Sequence, residues 1–507
     1  MKMIINEKIF YDKLMGCFTG KNIGGTLGAL EEGHRQKNFA DGYDKRLTLP
    51  MPNDDLDIQL LWLIMLEEKG INFDCERLGE YWQRYITPHW AEYGISKINM
   101  RAGIRPPMSG TVNNEDFKHS NGAWIRSEIW ACLTPGNPEI AASNALCDAV
   151  IDHGNGEGTW GEVFLAALQS LAFVNSDIDS LIETALTYIP ETTGLYNAIT
   201  DVVTMYKNKA TLDEVRDALL EKYRGYAWKI VAPEDKAKGF ADGPVGYDCP
   251  LNVAIVIAGI LYGEGDFDKT VKSAFFFGED TDCTVGTAGA TFGIIHGMSK
   301  IDKKWSEPIG NKISVGTLNL GELGVYGDIL PQTVDELAER IYKQHIIMST
   351  QYSLPNAKDG IDTSKYENAL DFKASDEFIN NAKKRFSSQD YHTDFYTVTV
   401  DYLSDDCYIV ENTPRKINVT VISEYKTGDI INYRWLLPDR ATVSPAQNGR
   451  FFLMFKGSRK HSEKTLSFEF TVTEPQQTER FVLELTIDGR TTCIYVPVVF
   501  LLGNKDN

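Results

Sequence analysis

The sequence predicts a multi-domain protein, an all-helical domain followed by an all-β sandwich of immunoglobulin-like type. Three observations predict it. Apolar residues recur with a helical period up to roughly residue 345, the chain turns polar and irregular from 346 to 391, and from 392 to 507 the period changes to two. A chain of 507 residues also exceeds the size at which one hydrophobic core keeps growing.

The helical pattern is clearest in Asp57 to Glu68, Glu139 to Ile151, Trp160 to Phe173, Leu251 to Leu261 and Val334 to Ile347. Each spaces its apolar residues to make a buried stripe or a wholly buried helix. Polar, Gly-rich breaks such as GGTLGALEEGH and DHGNGEGTWG interrupt the pattern, and long loops in compact domains are where sites sit. The stretch 346–391 (STQYSLPNAKDGIDTSKYENA and beyond) reads as a linker, part of it a helical tail on the first domain. Beyond it, FYTVTVDYL, KINVTVISEY, RFFLMF, TLSFEFTVT, RFVLELTI and TTCIYVPVVF are β-branched and aromatic runs separated by turn residues. That is the pattern of a sandwich.

Hydrophobic residues make up 43% and charged residues 24%, the balance of an ordinary globular protein. The formal charge of −20 argues against binding nucleic acid or an anionic membrane, both of which gain affinity from clustered Lys and Arg. An anionic small molecule would need metal ions, backbone amides or a local basic residue to offset the acidic field. The eight cysteines show neither close pairs nor metal-type spacing, the usage of a reduced compartment. With no apolar leader at the start and no run of about 18 apolar residues, a cytoplasmic location is expected.

Two acidic clusters carry the chemistry. Pro52-Asn53-Asp54-Asp55-Leu56-Asp57 precedes a long apolar helix and offers only hard oxygen donors, which suit Mg²⁺, Mn²⁺ or Ca²⁺. Asn and Asp are also favoured as helix caps and in the first turn, so capping explains this cluster taken alone. Gly278-Glu279-Asp280-Thr281-Asp282-Cys283-Thr284 precedes a helix of small residues. Two Asp at i and i+2 in an irregular segment can face one ion, whereas on a helix they diverge by roughly 200°. Capping explains one such cluster better than two in one domain.

A third segment, Gly16 to Gly33, repeats Gly at 16, 20, 24, 25 and 28 and ends in Glu31-Glu32. Four-residue spacing puts glycines on one helix face, where another backbone can approach closely. Helix contact alone accounts for the glycines; a functional reading adds a carboxylate from Glu32.

These three segments, in this order, resemble the ADP-ribosylglycohydrolase family over residues 10–345, and Asn121 to Arg126 (NGAWIR) resembles an internal segment of it. The resemblance implies an orthogonal helical bundle, here residues 1–345, with a cleft holding two Mg²⁺ or Mn²⁺ ions. It implies Asn53, Asp54, Asp55, Asp280 and Asp282 as metal ligands. Glu32, Asp54 and Asp55 are the expected catalytic carboxylates, with the metals holding sugar hydroxyls and activating water as a glycosidic bond breaks. Asn121, Arg126 and His153 are expected to bind substrate, though Arg126 equally suits a salt bridge to Glu128 or another acid, and a lone His beside glycines is often structural. Trp90, Tyr93 and Trp124 offer stacking faces or core packing.

The sequence departs from the family pattern at three positions. Asn53 and Cys283 stand where Thr is usual, and Lys21 follows Gly20 where the best-known ADP-ribosyl hydrolases carry an acid. Thiol is a poor ligand for a hard ion. The resemblance therefore implies a metal-dependent hydrolase of an ADP-ribosyl or related ribosyl or glycosyl conjugate, small or protein-linked. Its alternatives are a glycosidase or nucleoside hydrolase of the same fold, or a non-catalytic binding protein.

Overall fold

The computed structural model describes residues 3–227, 246–324, 329–457 and 462–504. Five helices build the site: α1 (Glu7–Gly28), α2 (Asp54–Lys69), α3 (Ala91–Ala102), α4 (Cys249–Gly263) and α5 (Thr281–His296). Asn6 opens α1 by accepting from the Ile9 amide at 3.0 Å. From Gly16 to Gly28 every residue of α1 is buried, as is every residue from Asp55 to Leu66 on α2 and from Thr281 to Ile295 on α5. Helices so enclosed need apolar or small residues on all sides rather than one stripe, which is what these sequences supply.

Glycines set how α1 meets α5. A Cβ on Gly20 would lie 2.2 Å from the Gly289 carbonyl oxygen, and one on Gly24 would lie 2.3 Å from the backbone of Val285 and Gly286. The two backbones are in direct contact. Gly24→Ala is therefore expected to force the helices apart and to destabilise the protein by about 1–3 kcal/mol, the scale of core overpacking. Gly286→Ala is the control: its Cβ would meet Lys21 and the Gly25 amide only at 3.4–3.5 Å, ordinary contact. It is expected to be neutral or stabilising, because Ala favours helix by roughly 1 kcal/mol. Urea denaturation of both variants checks the contrast.

The segment 346–391 is not a free linker. The helix Val334–Tyr352 runs into it, and strand Ile361–Asp362 pairs antiparallel with Ile4–Ile5 near the chain's start. Ala357, Ile361, Tyr366, Phe378, Ala382 and Phe386 join the core of the helical domain. These apolar residues are too widely spaced among polar ones to show a period, which is why the sequence reads as irregular there.

The β-rich end forms two five-stranded sheets. One orders its strands Ser388–His392, Tyr396–Asp401, Arg415–Ser423, Glu463–Val472, Ala441–Ser444; the other Tyr408–Ile409, Cys493–Leu502, Thr478–Ile487, Asp429–Leu436, Asn448–Leu453. All pairs are antiparallel except Tyr408–Ile409 with Cys493–Leu502. Val398, Val400, Val419 and Phe470 of the first sheet face Trp435, Phe481, Leu483 and Val496 of the second. This is the sandwich the alternation predicted.

Ile104, Met108 and Val112, from the loop after α3, belong to the sandwich core rather than to the helical one. Asn113 accepts from the Tyr408 hydroxyl at 2.6 Å, and Asn155 donates to Asp405 at 2.8 Å. The sandwich thus buttresses the loop that leads from α3 to Asn121.

Candidate metal centre

The start of α5 is fixed to the end of α1. Thr281 donates its hydroxyl to the Gly28 carbonyl at 2.8 Å, and Glu279 exchanges backbone hydrogen bonds with Gly33 and His34 at 2.9 and 3.0 Å. Gly278 and Glu279 both take positive φ, +74° and +66°, which turns the chain sharply into the helix. Asp280 is left outside the helix as its N-cap residue, so its side chain converges with that of Asp282 instead of diverging along a regular turn.

The result is a cleft of about 390 Å³ lined by Glu32, Asp54, Trp90, Glu92, Tyr93, Ser120, Asn121, Tyr247, Asp280, Asp282 and Cys283 among others. This is the size of a small-molecule site. Two overlapping donor sets lie on it, one of Glu32, Asp280 and Asp282 and one of Asp55, Asp282 and Cys283, with the donor atoms of each set within 4.8 Å of one another. Asp280 Oδ1 and Asp282 Oδ1 are buried acceptors without a hydrogen-bond donor. Buried acceptors in that state are costly unless a cation satisfies them, so the residues present fit a divalent ion.

Charge crowding says the same. Burial pushes Asp280 up to about 7, and Asp54 and Asp55 up to about 6, with neighbouring carboxylates adding to each. Asp282 is raised well above the usual carboxylate range by burial and by Asp280 and Glu32. Glu32 is raised by burial and by Asp54, against a hydrogen bond from the Tyr247 hydroxyl at 3.3 Å. So many carboxylates cannot ionise together in a partly dry cleft without added positive charge.

The individual residues divide by role. Asp54 lines the cleft and accepts from the Tyr93 hydroxyl at 2.8 Å. Asn121 lines it too, donating to Asp280 Oδ2 at 2.6 Å and accepting from Trp124 at 2.9 Å, so its amide orients a carboxylate and is itself held. Asn53 spends its side-chain oxygen on capping α2, accepting from the Asp55 amide at 2.7 Å, and points its amide nitrogen toward Asp282 at 3.4 Å. It caps α2 and braces the cluster from beside it. Asp57 faces away and ties the backbone of Gly316 and Thr317 at 2.8 Å each.

Asp55 has both oxygens engaged. Oδ2 lies 3.0 Å from Lys21 Nζ, and Oδ1 accepts from Cys283 Sγ at 3.3 Å. Lys21, the departure from the family pattern after Gly20, lies wholly beneath the cleft floor, where it also donates to Glu128 at 3.0 Å, Thr287 at 2.9 Å and the Ile125 carbonyl at 2.6 Å. Burial, and then Asp280, push the Cys283 thiol well up, so it stays protonated.

Two expected substrate contacts are corrected. Arg126 is fully buried, pairing with Asp148 and Asp152 at 2.9 Å and lying 3.9 Å from Glu162, and none of it reaches the cleft. Its single positive charge is shared among these interior acids, and burial together with Asp148 raises Glu162 well above the usual carboxylate range. His153 is also fully buried, behind Ser120 and Glu92. Of the aromatics, Trp124 is core, whereas Trp90 is 58% exposed and lines the cleft beside Tyr93. Tyr247, Glu92 and Ser120 line it as well, and no motif in the sequence singled them out.

A cleft floored by convergent carboxylates on a helical frame defines the class of acidic, cation-ready sites. The particular family follows from comparison: the sequence model of the ADP-ribosylglycohydrolase family matches residues 6–346, and the chain belongs to that family. Membership supports a glycohydrolase-type function. A solved structure described as an ADP-ribosylglycohydrolase-related protein complex is 20% identical, with a TM-score of 0.40 and coverage of 67% of this chain and 99% of that one. No curated protein matches the chain. No helix among the described residues is long and apolar enough to cross a membrane.

Proposed function

We propose that the chain is a metal-dependent hydrolase that cleaves the glycosidic bond of an ADP-ribosyl or related ribosyl or glycosyl conjugate, small or protein-linked. The observation that carries it is the pair of donor sets sharing Asp282 on the cleft floor. Asp54, Asp55, Asp280 and Asp282, with Glu32, would hold Mg²⁺ or Mn²⁺. Bound there, such ions supply the positive charge that orients sugar hydroxyls and makes a water more acidic. Glu32 and Asp54 face the cleft and take the proton of the attacking water, and Asn121 keeps Asp280 aimed.

The two positions are unequal. Glu32, Asp280 and Asp282 offer oxygen only, whereas the second set includes the protonated Cys283 thiol and an Asp55 already paired with Lys21. Calorimetric titration with Mn²⁺ at pH 8 is expected to resolve one tight and one weaker event. Protons compete for Asp54, Asp55 and Asp280, so affinity is expected to fall as pH drops through 7 to 6. Absence of any binding at pH 8 overturns the metal reading.

One observation favours an uncharged substrate of the alternative kind, a glycoside or nucleoside. Among the described residues the cleft lining includes no Lys, Arg or His. A pyrophosphate entering beside Glu32, Glu92 and three aspartates would have only metal ions and backbone to neutralise it. Release of ADP-ribose from modified protein, measured beside hydrolysis of nitrophenyl glycosides and ribosides, separates the two.

A further inference from the structure

We propose that Glu92 is the group that donates a proton to the leaving atom, acting from the α3 wall of the cleft and positioned by a buried chain of Ser120, His153, Asp152 and Arg126. This rests on the glycosidic-hydrolysis reading above and assigns the acid that reading lacks.

Glu92 lies in the first turn of α3 and lines the cleft, yet it is only 7% exposed. Its Oε2 has no hydrogen-bond partner. The residue before it, Ala91, has φ of +34°, a strained value for an L residue, at the point where the chain enters the helix. Gly122 makes room for the carboxyl: a Cβ there would lie 2.5 Å from Glu92 Oε1. Behind it, His153 Nε2 sits 3.7 Å from Oε1 and 3.2 Å from the Ser120 hydroxyl. His153 Nδ1 is 3.0 Å from Asp152 Oδ1, and Asp152 receives both Arg126 Nη atoms at 2.9 and 3.1 Å. The imidazole cannot swing, because Gly158 presses so close that a Cβ would lie 2.0 Å from its Cδ2.

The chemistry follows from the surroundings. Burial would raise Asp152, but Arg126 and His153 hold it down to about 2, a fixed anion that orients the imidazole. Burial pushes Glu92 up to about 7 against the pull of His153. The titratable groups around Glu92 are His153 and Asp152 from the loop before Glu157, and Asp54 of α2 and Arg126 act on the neighbouring Tyr93. An acid near neutrality suits proton transfer at neutral pH.

In the step, the bond from the anomeric carbon to the leaving atom breaks with its electron pair staying on that atom. The leaving atom takes the Glu92 proton and departs as a neutral alcohol or amine. Water adds to the anomeric carbon and loses a proton to the Glu32 or Asp54 carboxylate. Proton exchange with solvent restores both carboxyl groups, and one water is consumed.

The test compares wild type with Glu92→Gln on phenyl riboside, whose leaving group needs protonation, and on 4-nitrophenyl riboside, whose leaving group scarcely does. The variant is expected to lose about 10²–10⁴-fold in kcat on the phenyl substrate and less than about tenfold on the nitrophenyl one. The alkaline limb of the kcat profile is expected to vanish while Mn²⁺ binding is unchanged. Equal losses on both substrates with the limb retained overturn the proposal. If Glu92→Gln does not fold, Glu92→Asp, which keeps the acid but withdraws it, is expected to lose more on the phenyl substrate than on the nitrophenyl one, and equal losses again overturn it. Infrared difference spectra of wild type against the variant give an activity-independent readout: a protonated carboxyl band at pH 6 that disappears by pH 9 is expected. Its absence at pH 6 overturns the role of Glu92 alone, whereas wild type inactive on both ribosides and on every other glycoside tried overturns the hydrolase reading on which it rests.

Discussion

Asp280→Asn is expected to abolish turnover while leaving the fold intact and, in metal-free buffer, more stable than wild type at pH 8. The side chain keeps its size and its hydrogen bond from Asn121, but Oδ1 or its replacement amide can no longer supply an anionic donor to the set shared with Glu32 and Asp282. Loss of charge stabilisation in the transition state is worth at least about 10²–10³-fold in rate, and the tight Mn²⁺ event should disappear from the titration.

The stability sign follows from linkage. Burial and neighbouring acids raise Asp280 to about 7, far above an unfolded carboxylate, so the folded metal-free protein binds more protons than the unfolded chain between about pH 4 and pH 7. It loses stability as pH rises through that window. An Asn at 280 removes this loss, and thermal melts of the two chelated proteins at pH 5 and pH 8 should differ mainly at pH 8. Full activity in the variant, or a marked drop in its melting temperature at pH 8, contradicts the assignment.

How much of this site could be read from the sequence depends on whether a residue acts locally or across the fold. The acidic clusters and the glycine face were legible because each is a local pattern: oxygen donors packed before a helix, and glycines at a spacing that leaves one side bare. The period change near residue 392 likewise fixed the order of helical and sheet parts. What stayed hidden depends on contacts between distant segments. Arg126 suited a ligand-binding fork and a salt bridge equally, and the choice rests on Asp148, Asp152 and Glu162, which converge on it from helices and loops later in the chain. Glu92 is an unremarkable acid in sequence and becomes distinctive only where Gly122 and His153 close around it. Four strands of the sandwich escaped notice, Ser388–His392, Tyr408–Ile409, Asp429–Leu436 and Ala441–Ser444. They are short, or, as in Asp429–Leu436, carry the apolar Ile430 and Leu436 on the less buried face beside Asn432 and Arg434, which blurs the alternation.

Lys21, which the sequence marks only as a departure from the family pattern, is a buried counter-ion in the structure, and it yields the second large prediction. Lys21→Met is expected to cost about 3–5 kcal/mol of folding stability at pH 8, the scale of leaving buried charge uncompensated. Burial opposes the ammonium, but Asp55 and Glu128 outweigh it and raise its pKa, so the lysine is charged across the working range and contributes stability at every pH below its unfolded value. Remove it, and two fully buried carboxylates face each other across the gap, with Gln59 donating to Glu128 at 2.8 Å and Cys283 to Asp55 at 3.3 Å as relief. Protonation offers an escape, so the deficit should shrink as pH falls from 8 to 5. Glu128→Gln in the Lys21→Met background, which deletes one of the stranded charges, should restore part of the loss. A residue that only selected substrate would behave differently, changing KM without moving the denaturation midpoint. If Lys21→Met unfolds at the wild-type urea concentration at pH 8, the ammonium is not the counter-ion of the cleft floor, and Asp55 is then free to serve the second cation without competition.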